Sequence, residues 1–290
     1  MAIHPDKVFL NGQWLDADEA KVSVFDRGFV FGDGVYEVIP VYGKRPFRIN
    51  QHLARLKHSL DAIRLPNPHS DAEWTNIIQQ LIEQNASPDQ MVYFQVTRGV
   101  APRDHAFPVT VSPTVFAYGK ALHYATASEI SNGVPAITAE DIRWLRCDIK
   151  SIALLGNVIL RQSAVESGAA EAILLRDGML TEGSASNIFV VKHGKIITPP
   201  KSNLILPGIT RDLVVQLAHD NDVPCEERGV SAEELFAADE VWLTSATKEV
   251  LPIVRVDDRA IGDGKPGAMQ AKMFTIYQEY KDLFRKGEVD

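Results

Sequence analysis

Two domains of mixed α and β structure are what this sequence predicts, on three observations. The chain has 290 residues, and that length favours about two domains. Its apolar residues switch repeatedly between a strand-like and a helix-like period. The resulting strands and helices do not alternate as strict βαβ units, so the class is α/β (α+β).

The elements follow in order. "KVFLNGQWL" holds two short apolar runs around Asn11-Gly12, a dipeptide suited to a two-residue hairpin turn. "GVYEVIPVYGKRPFRI" continues in β-branched and aromatic residues and turns at Tyr42-Gly43-Lys44. In "NQHLARLKHSLDAIRL" the period changes: Leu53, Leu56, Leu60 and Ile63 recur at helical spacing, with Asn50 as the expected cap. "DAEWTNIIQQLIEQN" predicts a second helix, capped by Asp71 and with Pro88 beyond its end. The strands "MVYFQVTRG" and "SPTVFAYGK" flank the loop "VAPRDHAFPVTV".

After about residue 120 the pattern restarts. "DIRWLRCDIK" predicts extended chain, and "SIALLGNVILRQSAVESGA" a helix that Ser151 can cap. "EAILLRDGMLTEG" and "SNIFVVKHGKIITP" predict hairpins turning at Asp177-Gly178 and His193-Gly194. "ITRDLVVQLAHDND" is amphipathic, and "ADEVWLTSATKEV" is a strand entering a polar turn. A boundary within "GKALHYATASEI" divides the chain into residues 1–122, with Tyr36, Arg55, Arg103 and His105, and 123–290, with Lys150 and Glu182. No internal repeat is visible.

Composition sets outer limits. The chain is 45% hydrophobic and 23% charged, an ordinary soluble globular composition. A net charge of −8 argues against nucleic acid and anionic membranes as partners. No apolar run approaches the ~20 residues of a membrane helix. "MAIHPDKVFLNG" lacks the basic-then-apolar layout of a secretory signal. Cys147 and Cys225 are too few for a disulfide framework and have no metal-like spacing. A reduced, cytoplasmic setting without a bound metal is the expectation.

Four positions bear on chemistry. Lys150 sits where a strand-like run hands over to a helix-like run. Its stem can pack while the amine reaches solvent; alternatively, a desolvated amine becomes a neutral nucleophile able to form a Schiff base. Arg143 and Arg146, close in sequence, would favour the neutral form further. Glu182 in "TEGSASNIF" reads either as an exposed turn carboxylate or as the anion that keeps a heterocyclic nitrogen protonated. "LPGITRDLVVQL" starts a helix near Thr210: a simple cap, or a phosphate site at a helix N-terminus. Arg55 is either a surface arginine or a bidentate grip on a phosphate. A lysine, a carboxylate, a phosphate cradle and an arginine together make up what a pyridoxal phosphate site requires.

"FDRGFVFGDGVYEVI", "HLARL", "YFQVTRGVAPRDHAFP", "RWLRCDIKSIALLGNV", "EAILLRDGMLTEGSASNIF", "LPGITRD" and "VWLTSATKEVLPI" span roughly residues 8 to 256. On these segments the chain resembles the class IV, fold-type IV pyridoxal-phosphate aminotransferases, and within them the D-amino-acid-specific branch. The resemblance implies a two-domain fold with pyridoxal 5'-phosphate at the domain interface and Lys150 joined to it. It implies that Glu182 pairs with the ring nitrogen and Leu206 packs beside the ring. Arg55, the Ile209 amide and Thr210 would hold the phosphate, with Ser184 and Ser245 as neighbours. Many relatives carry a phosphate-binding threonine where this chain has Ala246, so only the backbone amide, or the hydroxyl of Thr247, could serve there. Arg103, His105 and Tyr36 match the D-specific carboxylate trap, although an uncommitted loop such as this is ordinarily solvated. In the family that loop approaches the site across a homodimer interface.

The implied reaction moves an amino group from a D-amino acid, D-alanine foremost, to a 2-oxo acid such as 2-oxoglutarate, in a ping-pong sequence. A branched-chain L-aminotransferase shares the lysine, the glutamate and the cradle but is expected to lack the Arg103 and His105 pair. A lyase of the same fold, acting on aminodeoxychorismate, would release pyruvate without an oxo-acid acceptor. A cofactor-binding protein without turnover is the remaining alternative.

Overall fold

The computed structural model describes residues 5–110 and 112–290. The first four residues of the N-terminal segment and Val111, which closes the loop "VAPRDHAFPVTV", lie outside the described residues. The chain forms two compact units: residues up to Leu122 with Ile149–Leu154 and Phe284–Asp290, and His123–Asp148 with Leu155–Leu283.

The first unit contains, in chain order, β1 (Lys7–Leu10), β2 (Gln13–Asp16), α1 (Arg27–Phe31), β3 (Gly34–Tyr42), β4 (Arg45–Pro46), α2 (Ile49–Ala62), α3 (Asp71–Gln84), β5 (Gln90–Thr97) and β6 (Thr114–Ala121). Its strands form one antiparallel sheet, in the order β2-β1-β6-β5-β3-β4. The β1–β2 turn is the expected one, since Asn11 and Gly12 take φ of 49° and 86°, the left-handed pair a two-residue hairpin needs. α2 buries Leu53, Leu56 and Leu60, and α3 buries Trp74, Ile78 and Ile82. These meet Val35, Ile39, Val92, Phe94 and Val96 of the sheet in one core.

The caps of both helices lie one or two residues before those read from sequence. Arg48 precedes α2 in a left-handed conformation, and its carbonyl accepts the amides of Gln51 and His52, which puts Asn50 inside the helix. α3 starts from Ser70, whose hydroxyl accepts the Glu73 amide while the Glu73 carboxylate returns to the Ser70 amide. This reciprocal capping box satisfies two amides, so Asp71 is the first helical residue.

The second unit contains α4 (Ala127–Asn132), β7 (Val134–Glu140), α5 (Leu155–Glu166), β8 (Glu171–Arg176), β9 (Met179–Gly183), β10 (Asn187–Lys192), β11 (Lys195–Thr198), α6 (Ile209–Asp220), β12 (Cys225–Glu227), α7 (Ala232–Phe236), β13 (Glu240–Ser245), β14 (Glu249–Val256), β15 (Arg259–Ala260) and α8 (Ala268–Lys286). The last residues of α8, from Phe284, belong to the first unit. The sheet runs β12-β11-β10-β13-β14-β7-β8-β9, with β15 beside β14. β7 lies parallel to both β14 and β8. No helix of the described residues is long and apolar enough to cross a membrane.

"DIRWLRCDIK" is not extended. The strand lies ahead of it, as β7, and pairing with β8 ends at Glu140 opposite Leu175. The next carboxylate, Asp141, turns in to accept Arg143, and the backbone from there to Leu154 is irregular. α5 accordingly starts at Leu155, and Ser151 does not cap it. Its hydroxyl instead accepts the Ala153 amide at 3.0 Å. The reason is that Ile149–Leu154 belongs to the first unit rather than, as expected for Lys150, to the second. Ile149 joins that unit's core, the Tyr36 amide donates to the Lys150 carbonyl at 2.9 Å, and the Ile152 amide donates to Gly34 at 3.1 Å.

Candidate active site

Within the first unit, Lys150 and Tyr36 come together. The Lys150 amide donates to Ser59 Oγ at 3.1 Å and its carbonyl takes the Tyr36 amide, so the backbone is pinned from both sides. The half-buried side chain carries Nζ to 4.0 Å from the centroid of the Tyr36 ring. A π face attracts a cation without supplying a proton acceptor. Tyr36 in turn stacks on Tyr93, and Tyr93 on Tyr118, along one face of the sheet. Burial, with Tyr36 and Tyr118 adjacent, pushes the Tyr93 phenol up.

Arg55 is not a surface arginine. Its Nε and Nη2 each donate to Glu37 at 2.8 Å, and His52 Nδ1 lies 2.8 Å from the same carboxylate. Glu37 is wholly buried. Burial pushes its carboxyl up, but the charge and hydrogen bonds of Arg55, joined by His52, outweigh that and hold it well below the usual range. His52 is itself pushed down by burial, against the pull of Glu37. Glu37 and His52 were not singled out in sequence. The signal was the spacing of His52 and Arg55, three apart and so on one helix face, opposite an acid in a buried strand.

Arg103 and His105 lie on the exposed loop after β5 but converge on one ring. The Arg103 guanidinium carbon and the His105 ring centroid each lie 5.3 Å from the Phe31 ring centroid.

In the second unit Glu182, at the end of β9, is 4% exposed, which excludes the exposed-turn reading. Arg143 Nη1 donates to its Oε1, while Asn187 Nδ2 and the Leu206 amide donate to Oε2 at 3.0 Å each. Asp141 grips Arg143 through Nε at 2.8 Å and Nη2 at 2.9 Å. Burial pushes the Glu182 carboxyl up to about 7 against the charge of Arg143, and the negative charge of Asp141 adds to the rise. Arg143 and Arg146 were expected to act on the Lys150 amine. They are instead committed to carboxylates, Arg143 to Asp141 and Glu182, and Arg146 to Asp148.

Asn187 links Glu182 to the start of α6. Its Nδ2 also donates to the Leu206 carbonyl at 3.0 Å, and Oδ1 lies against Gly208. Gly208 precedes α6 with no side-chain cap, and Thr210 is the second helical residue, so it is not a simple cap. The first amides of a helix, here from Ile209 and Thr210, have no intrahelical partner and favour an anion. A Cβ on Gly208 would sit 2.1 Å from Asn187 Oδ1. Gly208→Ala is therefore expected to displace Asn187 and cost about 1–3 kcal/mol. Chemical denaturation measures this, and an unchanged midpoint would contradict it.

Ser184 and Ser245 are bonded elsewhere. The Ser184 hydroxyl and amide both donate to the buried Glu171, as does the Ser186 hydroxyl at 2.7 Å. Ser245 Oγ accepts the Lys248 amide at 3.1 Å, which closes the turn holding Ala246 and Thr247 before β14.

The family of amino-transferases of class IV matches residues 34–256. The chain belongs to the class IV aminotransferases. This class IV aminotransferase is 45% identical over 272 residues to the D-alanine aminotransferase of Bacillus licheniformis, covering 94% of this chain and 96% of that one. It is 42% identical over 275 residues to the D-alanine aminotransferase of Staphylococcus haemolyticus, covering 94% and 97%. Among solved structures, a T.th. branched-chain amino acid aminotransferase with pyridoxamine 5'-phosphate superposes with a TM-score of 0.91 at 26% identity, covering 99% and 96%. The branched-chain enzyme of Escherichia coli gives 0.89 at 27% identity, covering 98% and 96%. The fold is thus that of the fold-type IV aminotransferases.

Proposed function

We propose that this aminotransferase uses pyridoxal 5'-phosphate to move the amino group of a D-amino acid, D-alanine foremost, to a 2-oxo acid, 2-oxoglutarate foremost. The observation that carries the reading is the buried Glu182, its oxygens oriented by Arg143, Asn187 and the Leu206 amide. Such a site suits a ring nitrogen that must keep its proton. The residue chemistry of each unit supports the cofactor: the first offers the Lys150 amine, and the second the Glu182 carboxylate, Leu206 and an uncapped helix start at Ile209 and Thr210. Arg55, fixed by Glu37, would join Ile209, Thr210 and the Ala246 amide in holding the phosphate. Ser184 and Ser245 would order the backbone around it.

When bound, pyridoxal phosphate supplies the sink for the electron pair left at the substrate Cα. Lys150 would hold the cofactor's aldehyde carbon through Nζ, and its neutral amine would take the substrate Cα proton. Glu182 would hold the proton at the ring nitrogen. Tyr36, Arg103 and His105 fix the substrate carboxylate by charge-assisted hydrogen bonds, and so decide which face of Cα presents its hydrogen. D-specificity is supported by the identity to D-alanine aminotransferases, well above that to the branched-chain enzymes.

The working form is proposed to be a homodimer in the cytoplasm. Exposed Val22, Val24, Phe25, Phe29 and Val100 on the first unit support an apolar interface. Cys147 and Cys225 are free thiols, as a reducing compartment favours.

The test is the half-reaction of the holoenzyme with a panel of D- and L-amino acids, read as loss of the cofactor's visible colour. D-alanine and D-glutamate are expected to bleach it, and L-leucine is not. Preference for L-leucine would replace the reading with the branched-chain activity. Pyruvate released from aminodeoxychorismate without 2-oxoglutarate would replace it with the lyase.

A further inference from the structure

We propose that Arg27, Asp33 and Arg98 are positioning residues that fasten the loop carrying Arg103 and His105 in its substrate-binding shape. The inference rests on the reading of those two loop residues as carboxylate ligands. Asp33 is the hub. Its Oδ2 accepts Arg27 Nε at 2.7 Å and Arg98 Nε at 2.8 Å, while Oδ1 accepts Arg98 Nη2 at 3.0 Å. One carboxylate between two buried guanidinium groups leaves a positive excess, and carbonyl oxygens take up the remaining donors. Arg98, 2% exposed, spends its share on Ile63 at 2.8 Å and Arg64 at 3.3 Å.

Arg27 spends its share on the loop. Its Nη1 donates to the Asp104 carbonyl at 2.5 Å and to the Ala106 carbonyl at 3.3 Å, the carbonyls of the two residues that flank His105. Phe107 lies under Arg98, whose guanidinium carbon is 3.8 Å from the ring centroid, with Arg64 at 4.9 Å. Arg27 also covers Phe31 at 4.8 Å, the ring on which Arg103 and His105 rest. The loop has no regular secondary structure. Beyond its pair with Asp33, this buried arginine is aimed at the carbonyls of an exposed loop and so sets where Arg103 and His105 point. Lysine cannot replace it, because a single ammonium lacks the planar fork that spans Asp33 and the carbonyls.

The experiment compares holoenzymes carrying Arg27→Lys and Phe107→Ala, each alone and combined with Arg103→Ala. Amide exchange in residues 101–109 is expected to quicken in both single variants. KM for D-alanine is expected to rise about tenfold with a smaller change in kcat. Neither substitution is expected to add fully to the effect of Arg103→Ala, since both act in part through the same contact. Unchanged exchange in the loop, or effects that multiply independently of Arg103→Ala, would overturn the proposal. Phe107 is 45% exposed, so its variant decides the matter should Arg27→Lys fail to fold. A wild type inert toward D-alanine would remove the functional reading instead, and loop exchange would still judge the fastening.

Discussion

Lys150→Ala is expected to lower transamination of D-alanine by about 10⁴-fold, since one group serves as covalent anchor and as general base. The substitution leaves the backbone contacts in place. The Ser59 hydroxyl still accepts the amide of residue 150, and its carbonyl still takes the Tyr36 amide. Ile149 stays in the core of the first unit. Thermal stability should therefore change little, and a loss of activity reports on chemistry rather than folding. The cofactor should still bind but without the visible band of a Schiff base. Persistence of that band, removable by borohydride before but not after denaturation, would assign the anchor to a different amine.

Glu182→Gln has the second largest expected effect, a fall in kcat of about 10²–10³-fold. Glutamine matches the shape, but a neutral amide cannot keep a proton on a ring nitrogen. Its NH₂ also faces donors, because Arg143, Asn187 and the Leu206 amide all point N–H groups at this side chain. A second readout needs no cofactor. The Glu182 carboxyl rises from 4.5 to about 7 in the folded chain, so the folded state binds this proton more tightly than the unfolded state. The stability it contributes is fully present below pH 4.5 and is lost as pH climbs to about 7. The size is on the order of 3 kcal/mol. The difference in unfolding free energy between wild type and Glu182→Gln should change across that window and be flat above it. A difference independent of pH would mean that the carboxyl titrates alike in the folded and unfolded chains.

The parts of the fold legible in sequence were those set by neighbours along the chain. The hairpins at Asn11-Gly12, Asp177-Gly178 and His193-Gly194 were readable because left-handed φ at both turn positions restricts the choice of residues. The helices were readable because their apolar faces repeat at 3.6 residues. Features set by distant partners were hidden. Nothing near Arg48 announces a left-handed helix start. The end of β7 depends on where β8 stops pairing. Lys150, Glu182 and Thr210 were recognisable as residue types in a motif, whereas the groups that hold them were not. Arg143 reads as a basic neighbour of Lys150 until Asp141 and Glu182 are seen to claim it. Asn187 reads as a hairpin polar residue until its amide is found between Glu182 and Leu206.

The chain order of the first unit carries a consequence for synthesis on the ribosome. Its sheet is complete at Ala121, yet its core also takes Ile149, and Phe284 packs edge-on against Phe47 with ring centroids 4.9 Å apart. A nascent polypeptide released after residue 122 would hold every strand of that sheet while lacking the inserts that seal it. Such a fragment should behave as a loosely packed intermediate that binds hydrophobic dyes. Maturation of the first unit therefore waits until Phe284 has been translated.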